Sequence, residues 1–270
     1  MRARRVTLMI QGLRGNGQRL RLPAAVAVAL GLLACAVVVA ATGPAGDGAE
    51  LLRRMRATYA GLASYSDSGT VTTEYRAGGS PLITERHSFE SYYQAPRNLY
   101  FEFRKDPKVA NERYVIWGAG EAFHSWWSAT QTHSVYPPGS GATAFALGVQ
   151  PTVGSTIRIP SLLFAKAGLH SVLTDFSVDG PAATEQLAGR ACYRISGEER
   201  LAYGTGAVTG VRPLSVWVDA ETLLVRRIVE DTPAGRGGGD VDRITVVLEP
   251  TANSSWPASR FRFAMPGGQQ

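Results

Sequence analysis

His87, His124, His133 and His170 are the residues best suited to acid–base or metal chemistry, and their placement supports neither. No cysteine pair accompanies them, and no HExxH or CxxC occurs, so the spacing is not that of a metal site. Each histidine is expected to be a surface or strand residue. No GxSxG nucleophile motif is present. Gly204-Thr205-Gly206-Ala207-Val208-Thr209-Gly210 is one residue too long for a dinucleotide loop and opens no good helix, so it reads as a hairpin loop. Asp219 lies between two strand-like runs, where an Asp typically accepts backbone N–H groups in an Asx turn. Asn253-Ser254-Ser255 matches a glycosylation sequon, a short pattern that carries little weight by itself. The two cysteines are Cys35, inside an apolar N-terminal segment, and Cys192, in an apparent strand. Cys192 is expected to be a buried small residue. The chain therefore reads as non-enzymatic, with no cofactor and no metal.

The remaining signal is aromatic. Tyr92, Tyr93, Phe101, Phe103, Trp117, Phe123, Trp126 and Trp127 crowd between residues 92 and 127. They suit an ordinary β core, and they equally suit an apolar cavity in a curled sheet. Both need the same inward face. The cavity-lining candidates are Leu99, Phe101, Phe103, Trp117, Phe123 and Trp127.

Several elements must position these side chains. Leu51, Leu52, Met55, Tyr59 and Leu62 recur at helical spacing with arginines between them, which predicts an amphipathic helix ending near Gly61. After Ser64 the period becomes two. Val71, Thr73 and Tyr75 alternate with Thr70, Thr72 and Glu74. Leu99, Phe101 and Phe103 alternate with Asn98, Tyr100, Glu102 and Arg104, predicting one apolar face and one wet face. Runs 112–117 and 121–128 predict a hairpin around Gly118-Ala119-Gly120. Further strands are predicted at 131–136, 172–178, 190–196, 214–219, 223–230, 243–249 and 259–264. In the last of these, Phe261 and Phe263 oppose Arg260 and Arg262. Segment 137–168, rich in Pro and Gly, predicts a helical excursion with apolar runs Ala142–Leu147 and Ser161–Ala167; Ser161 is its expected N-cap and Gly168 its stop. Gly235–Gly239 predicts a loop between strands. Nothing divides residues 49–270, so they read as a single mainly β domain. A sheet of so many strands must curl.

The formal charge of +6 comes from the N-terminus. Residues 1–41 hold six arginines and no acid; the rest balances at twenty-two basic and twenty-two acidic residues. Such a domain has no footprint for nucleic acid. Residues 24–41 are uncharged and follow basic residues, as in an export signal or a membrane anchor. The positive-inside rule leaves the N-terminal side in the cytoplasm and exports the rest. Three fates stay open: cleavage near Val39-Ala40-Ala41, retention as an anchor, and lipidation of Cys35 in the lipobox-like Leu32-Leu33-Ala34-Cys35. Each puts the domain in the periplasm or on the envelope. Residues 42–48 are expected to be a linker.

Four stretches carry a family resemblance. Leu51-Leu52-Arg53-Arg54-Met55 leads to Tyr59-Ala60-Gly61-Leu62-Ala63-Ser64-Tyr65, then come Gly189-Arg190-Ala191-Cys192-Tyr193, then Leu214-Ser215-Val216-Trp217-Val218-Asp219 with Thr222 and Arg226-Arg227, and finally Asn253 through Phe261-Arg262-Phe263 to Pro266. In this order they resemble the LolA/LolB-like superfamily of bacterial envelope proteins, which includes outer-membrane lipoprotein carriers, lipid-binding lipoproteins and RseB-type stress sensors. The resemblance implies a curled antiparallel half-barrel whose concave side is covered by an N-terminal amphipathic helix and a short helical insert. It implies lipid or lipoprotein acyl chains as ligands, or else a sensor domain contacting an inner-membrane protein partner, and it supplies no catalytic residue. The chain departs from the family in its long N-terminal segment and short linker. Nothing in the sequence indicates an oligomeric state.

Overall fold

The computed structural model describes residues 44–75, 82–105, 112–120, 122–164, 173, 176–202, 208–231 and 241–266. The N-terminal apolar segment with Cys35, residues 203–207 and 232–240 where loops were expected, and His170 lie outside the described residues. No described helix is long and apolar enough to cross a membrane.

The first helix, α1 (Gly48–Gly61), forms as its spacing predicts. The Asp47 carboxylate accepts the Ala49 N–H at 3.0 Å, satisfying one of the orphan donors of the first turn. Leu51, Leu52, Met55 and Tyr59 are buried on one face. The expected linker is not one throughout. Pro44–Asp47 forms a short strand, β1, paired with β9 (Pro181–Leu187). Because this pairing is made through the backbone, hydropathy gave no sign of it.

Two antiparallel meanders make up the sheet. One runs β2 (Ser64–Tyr75), β3 (Ile83–Gln94), β4 (Asn98–Arg104), β5 (Arg113–Gly118), β6 (Phe123–Trp127) and β7 (Thr132–Tyr136). After a short β8 (Phe176–Val178), the other runs β9, β10 (Arg190–Ala202), β11 (Val208–Asp219), β12 (Val225–Asp231) and β13 (Val241–Leu248). They join where β13 pairs with β2, from Leu248↔Gly69 to Val241↔Tyr75. The sheet does not close, since β1 and β7 stand at opposite ends of the strand order. Gly69 allows a close approach: the Phe89 ring lies across it, and a Cβ there would stand 2.3 Å from Phe89 Cζ and 2.5 Å from the Val247 carbonyl oxygen.

Strand β3 was not predicted. Its buried residues are His87, Phe89, Ser91 and Tyr93, and two polar members of that set mask the apolar period. The predicted strand 172–178 is a strand only over Phe176–Val178 among its described residues. The predicted strand 259–264 is absent. A two-residue β14 (Thr251–Ala252) pairs with β2, then Asn253, at φ 58°, turns the chain out of the sheet. Ala258–Phe261 is a 3-10 turn instead. Phe261 is buried, and Phe263 packs on the outer face of the sheet against Trp117 and Trp126, with ring centroids at 5.1 and 5.6 Å. The outer face of β4 is also not uniformly wet. Glu102 is buried there, held by the Tyr100 hydroxyl, by Arg104 Nε at 2.8 Å and by Arg113 at 3.6 Å.

The inner face of the sheet is covered by α1, α2 (Gly141–Leu147) and α3 (Ile159–Leu163), which share one apolar core with the strands. The helical excursion is as predicted, but α3 starts earlier. Ser161 is not its N-cap. Arg158 occupies that position, Pro160 sits in the first turn, and the Ser161 hydroxyl donates to the Thr156 carbonyl at 3.3 Å. Gly168 lies outside the described residues.

Candidate functional site

Alternation along β4 sends Leu99, Phe101 and Phe103 to the inner face, and each is at most 1% exposed. Phe123 and Trp127 on β6 are half-buried against the same core. The covering helices meet the sheet through aromatic rings. Phe123 packs on Phe145 of α2 and on Phe164 after α3, with centroids at 5.8 and 5.5 Å, and Tyr93 meets Phe164 at 5.2 Å. Trp117 does not join them. It pairs in register with Tyr100, one residue out of phase with Leu99 and Phe101, and so lies on the outer face with Val115 and Trp126. Where side chains alternate, one residue decides the face.

The excursion is fastened to the sheet by charge. Arg158 donates from Nε to Glu230 Oε1 at 2.8 Å and from Nη2 to the same oxygen at 2.5 Å. Arg212 donates to Glu230 Oε2 at 2.8 Å. Arg158 Nη1 also donates to the Val153 carbonyl at 2.8 Å. Val153 has φ 51°, a left-handed conformation that a β-branched side chain adopts only under constraint, at a cost of roughly 1–3 kcal/mol. The same arginine thus pins the excursion to the sheet and holds its strained turn. Sequence reading missed this group, because its partners are 72 residues apart and no periodicity links them.

Beside the strained turn is a cleft of about 280 Å3. Phe103, Tyr114, Trp127, Pro151 and Val153 provide its apolar lining; Lys105 and Glu112 lie at its exposed side, 3.6 Å apart. His87, also lining it, is buried with Nδ1 against the Lys105 carbonyl oxygen. A larger groove of about 640 Å3 lies elsewhere, by Tyr92, Arg190, Arg226, Pro250 and Trp256. Its arginines already face Asp219, at 3.8 and 3.1 Å. Asp219 itself forms the expected Asx turn, accepting the N–H groups of Glu221 and Thr222 at 3.1 and 3.0 Å.

Deeper in the core Asp67 accepts hydrogen bonds from Tyr65 at 2.9 Å and from Ser91. Burial outweighs these donors and pushes its carboxyl up to about 6. The neighbouring Tyr59 hydroxyl accepts the Val225 N–H at 3.1 Å, and burial raises its pKa. Among the described residues no cluster of three or more His, Cys, Asp or Glu gathers that could hold a metal. On the outer face, His124 and His133 come together across the β6–β7 hairpin, with His124 Nδ1 and His133 Nε2 at 3.2 Å. Burial, then the neighbouring His133, lowers the His124 pKa.

An open antiparallel sheet with helices packed on its concave face is the class that the sequence resemblance implied. No family model and no curated protein matches the chain. Solved structures similar to it include LprF from Mycobacterium bovis, with 13% identity over 78% of this chain and 95% of that one and a TM-score of 0.41. A LolA superfamily protein from Nitrosomonas europaea is similar at 7% identity over 80% and 98%, TM-score 0.31. The MucA/MucB complex of Pseudomonas aeruginosa is similar at 11% over 80% and 60%, TM-score 0.37. Likeness at this level transfers no residue's role.

Proposed function

We propose that this is an exported, envelope-associated protein that binds lipid or lipoprotein acyl chains, non-catalytically, beneath its helical cover. The observation that carries this reading is the cover itself. Two short helices and a strained turn lie on the apolar inner face, fastened through Arg158, and a partly apolar cleft opens beside them. At about 280 Å3 the cleft is just below the usual range of ligand pockets, roughly 300–1,000 Å3. It takes the end of a chain. The rest follows as the excursion shifts, since each methylene buried contributes about 0.8 kcal/mol and needs no polar partner.

The test is titration of the purified chain with a fluorescent fatty acid, a phospholipid and a lipopeptide. Saturable binding at micromolar concentrations is expected, with at least a tenfold loss in Val153→Asp, which places a charge in the cleft away from the core centre. Phe103→Ala, checked for folding by circular dichroism, is the second variant. The burial of Leu99, Phe101 and Phe103 favours a second reading, in which the core stays filled and the domain serves as an envelope sensor contacting a membrane protein. Absence of binding by all three probes would leave that second reading standing.

A further inference from the structure

We propose that His124 and His133 form a two-imidazole site for a zinc ion on the outer face of the β6–β7 hairpin. His124 pairs in register with Val135, and Trp126 with His133, so the two histidines are diagonal neighbours on one face of adjacent strands. Their rings are parallel within 4°, with centroids 5.4 Å apart and facing nitrogens 3.2 Å apart. The spacing, which serves an N–H···N hydrogen bond in the metal-free pair, also admits zinc. Two nitrogens each about 2.05 Å from a tetrahedral zinc stand about 3.3 Å apart. The pair matches this without moving either strand.

The rings are also held in place beforehand. Trp117 stacks with His124 at 5.1 Å and 15° and with His133 at 5.7 Å and 13°. The indole thus lies parallel to both imidazoles and limits their rotation. On its other contacts Trp117 meets Phe263, which packs against Trp126 as well. In the neutral pair one ring N–H donates to the lone pair of the other. When zinc binds, that hydrogen moves through solvent to the second nitrogen of its own ring, and both facing lone pairs become ligands. No oxidation and no bond cleavage occurs. No third His, Cys, Asp or Glu joins the pair among the described residues, so water fills the remaining positions. The expected affinity is therefore micromolar, not that of a closed structural site.

The test is calorimetric titration of the purified full chain with Zn2+, together with Co2+ as a spectroscopic probe. One equivalent of zinc should bind, and bound cobalt should give the d–d absorption of a four-coordinate ion. His133→Ala, at an exposed position, should keep the fold and weaken zinc binding at least tenfold. His124→Gln should do the same. Zinc affinity unchanged in both variants, or no binding below millimolar zinc, would overturn the proposal. An octahedral cobalt spectrum would also overturn it, because the tetrahedral spacing is its basis.

Discussion

Arg158 and Glu230 pair within the interior, each side chain only 3% exposed, and this pair ties a helical excursion to the middle of the second meander. An ion pair so buried is a poor source of net stability, because desolvation offsets most of the attraction. Its value lies in position. Removing one partner leaves the other charged and enclosed.

Glu230→Gln should therefore lower stability by about 3–5 kcal/mol. The loss should appear first as faster amide exchange in residues 141–164, since those are the residues the pair fastens. Exchange rising equally in β2–β4 would mean that the pair supports the whole core and not the cover. Replacing Arg158 and Glu230 together by leucine and glutamine should recover part of the loss.

Asp67 makes stability depend on pH in an unusual direction. Its folded pKa is raised to about 6 from an ordinary value of 3.8. The folded state thus holds its proton when the unfolded state has already lost it. The contribution is fully present below about pH 4 and is lost as pH rises through about 6, a penalty on the order of 3 kcal/mol. Asp67→Asn should match the wild type near pH 4 and exceed it above pH 7. Urea midpoints of both proteins from pH 4 to 8 measure the difference; parallel curves would refute it.

Gly69→Ala should be destabilising although it adds only one methyl group. The new carbon meets a backbone oxygen of β13 at 2.5 Å as well as the Phe89 ring, so rotating the ring does not relieve it. A loss of about 1–3 kcal/mol is expected by urea denaturation.

Cys192 is fully buried, and burial pushes its thiol up. Site-resolved mass spectrometry after alkylation in native buffer should find it unmodified, with modification only in denaturant. Alkylation within minutes under native conditions would show that β10 opens readily.

Much of this architecture was legible from local pattern. The α1 stripe, the β4 alternation and the β5–β6 hairpin follow from periodicity, and each formed near its expected bounds. What escaped was fixed by partners distant in sequence. β3 hides behind His87 and Ser91, which are buried because Lys105 and Asp67 supply hydrogen bonds. β1 exists only because β9 offers it an edge. Of the candidate site, Leu99, Phe101 and Phe103 were placed on the right face by period alone. Trp117 was not, because a cluster of rings read from composition has no phase. The His124–His133 pair had one usable signal, namely two histidines flanking a hairpin turn, which ligand-spacing patterns made for helices and knuckles do not detect.

The seam between β2 and β13 sets an order of events in folding. β2 finds its first partner, β3, within a few residues, but its other edge stays open until residues 241–248 have been made. Contacts that distant are slow to form, and an open strand edge invites pairing with another chain. During synthesis the first meander therefore stays unprotected along that edge. A chain truncated before Val241 should aggregate, and the full chain should not.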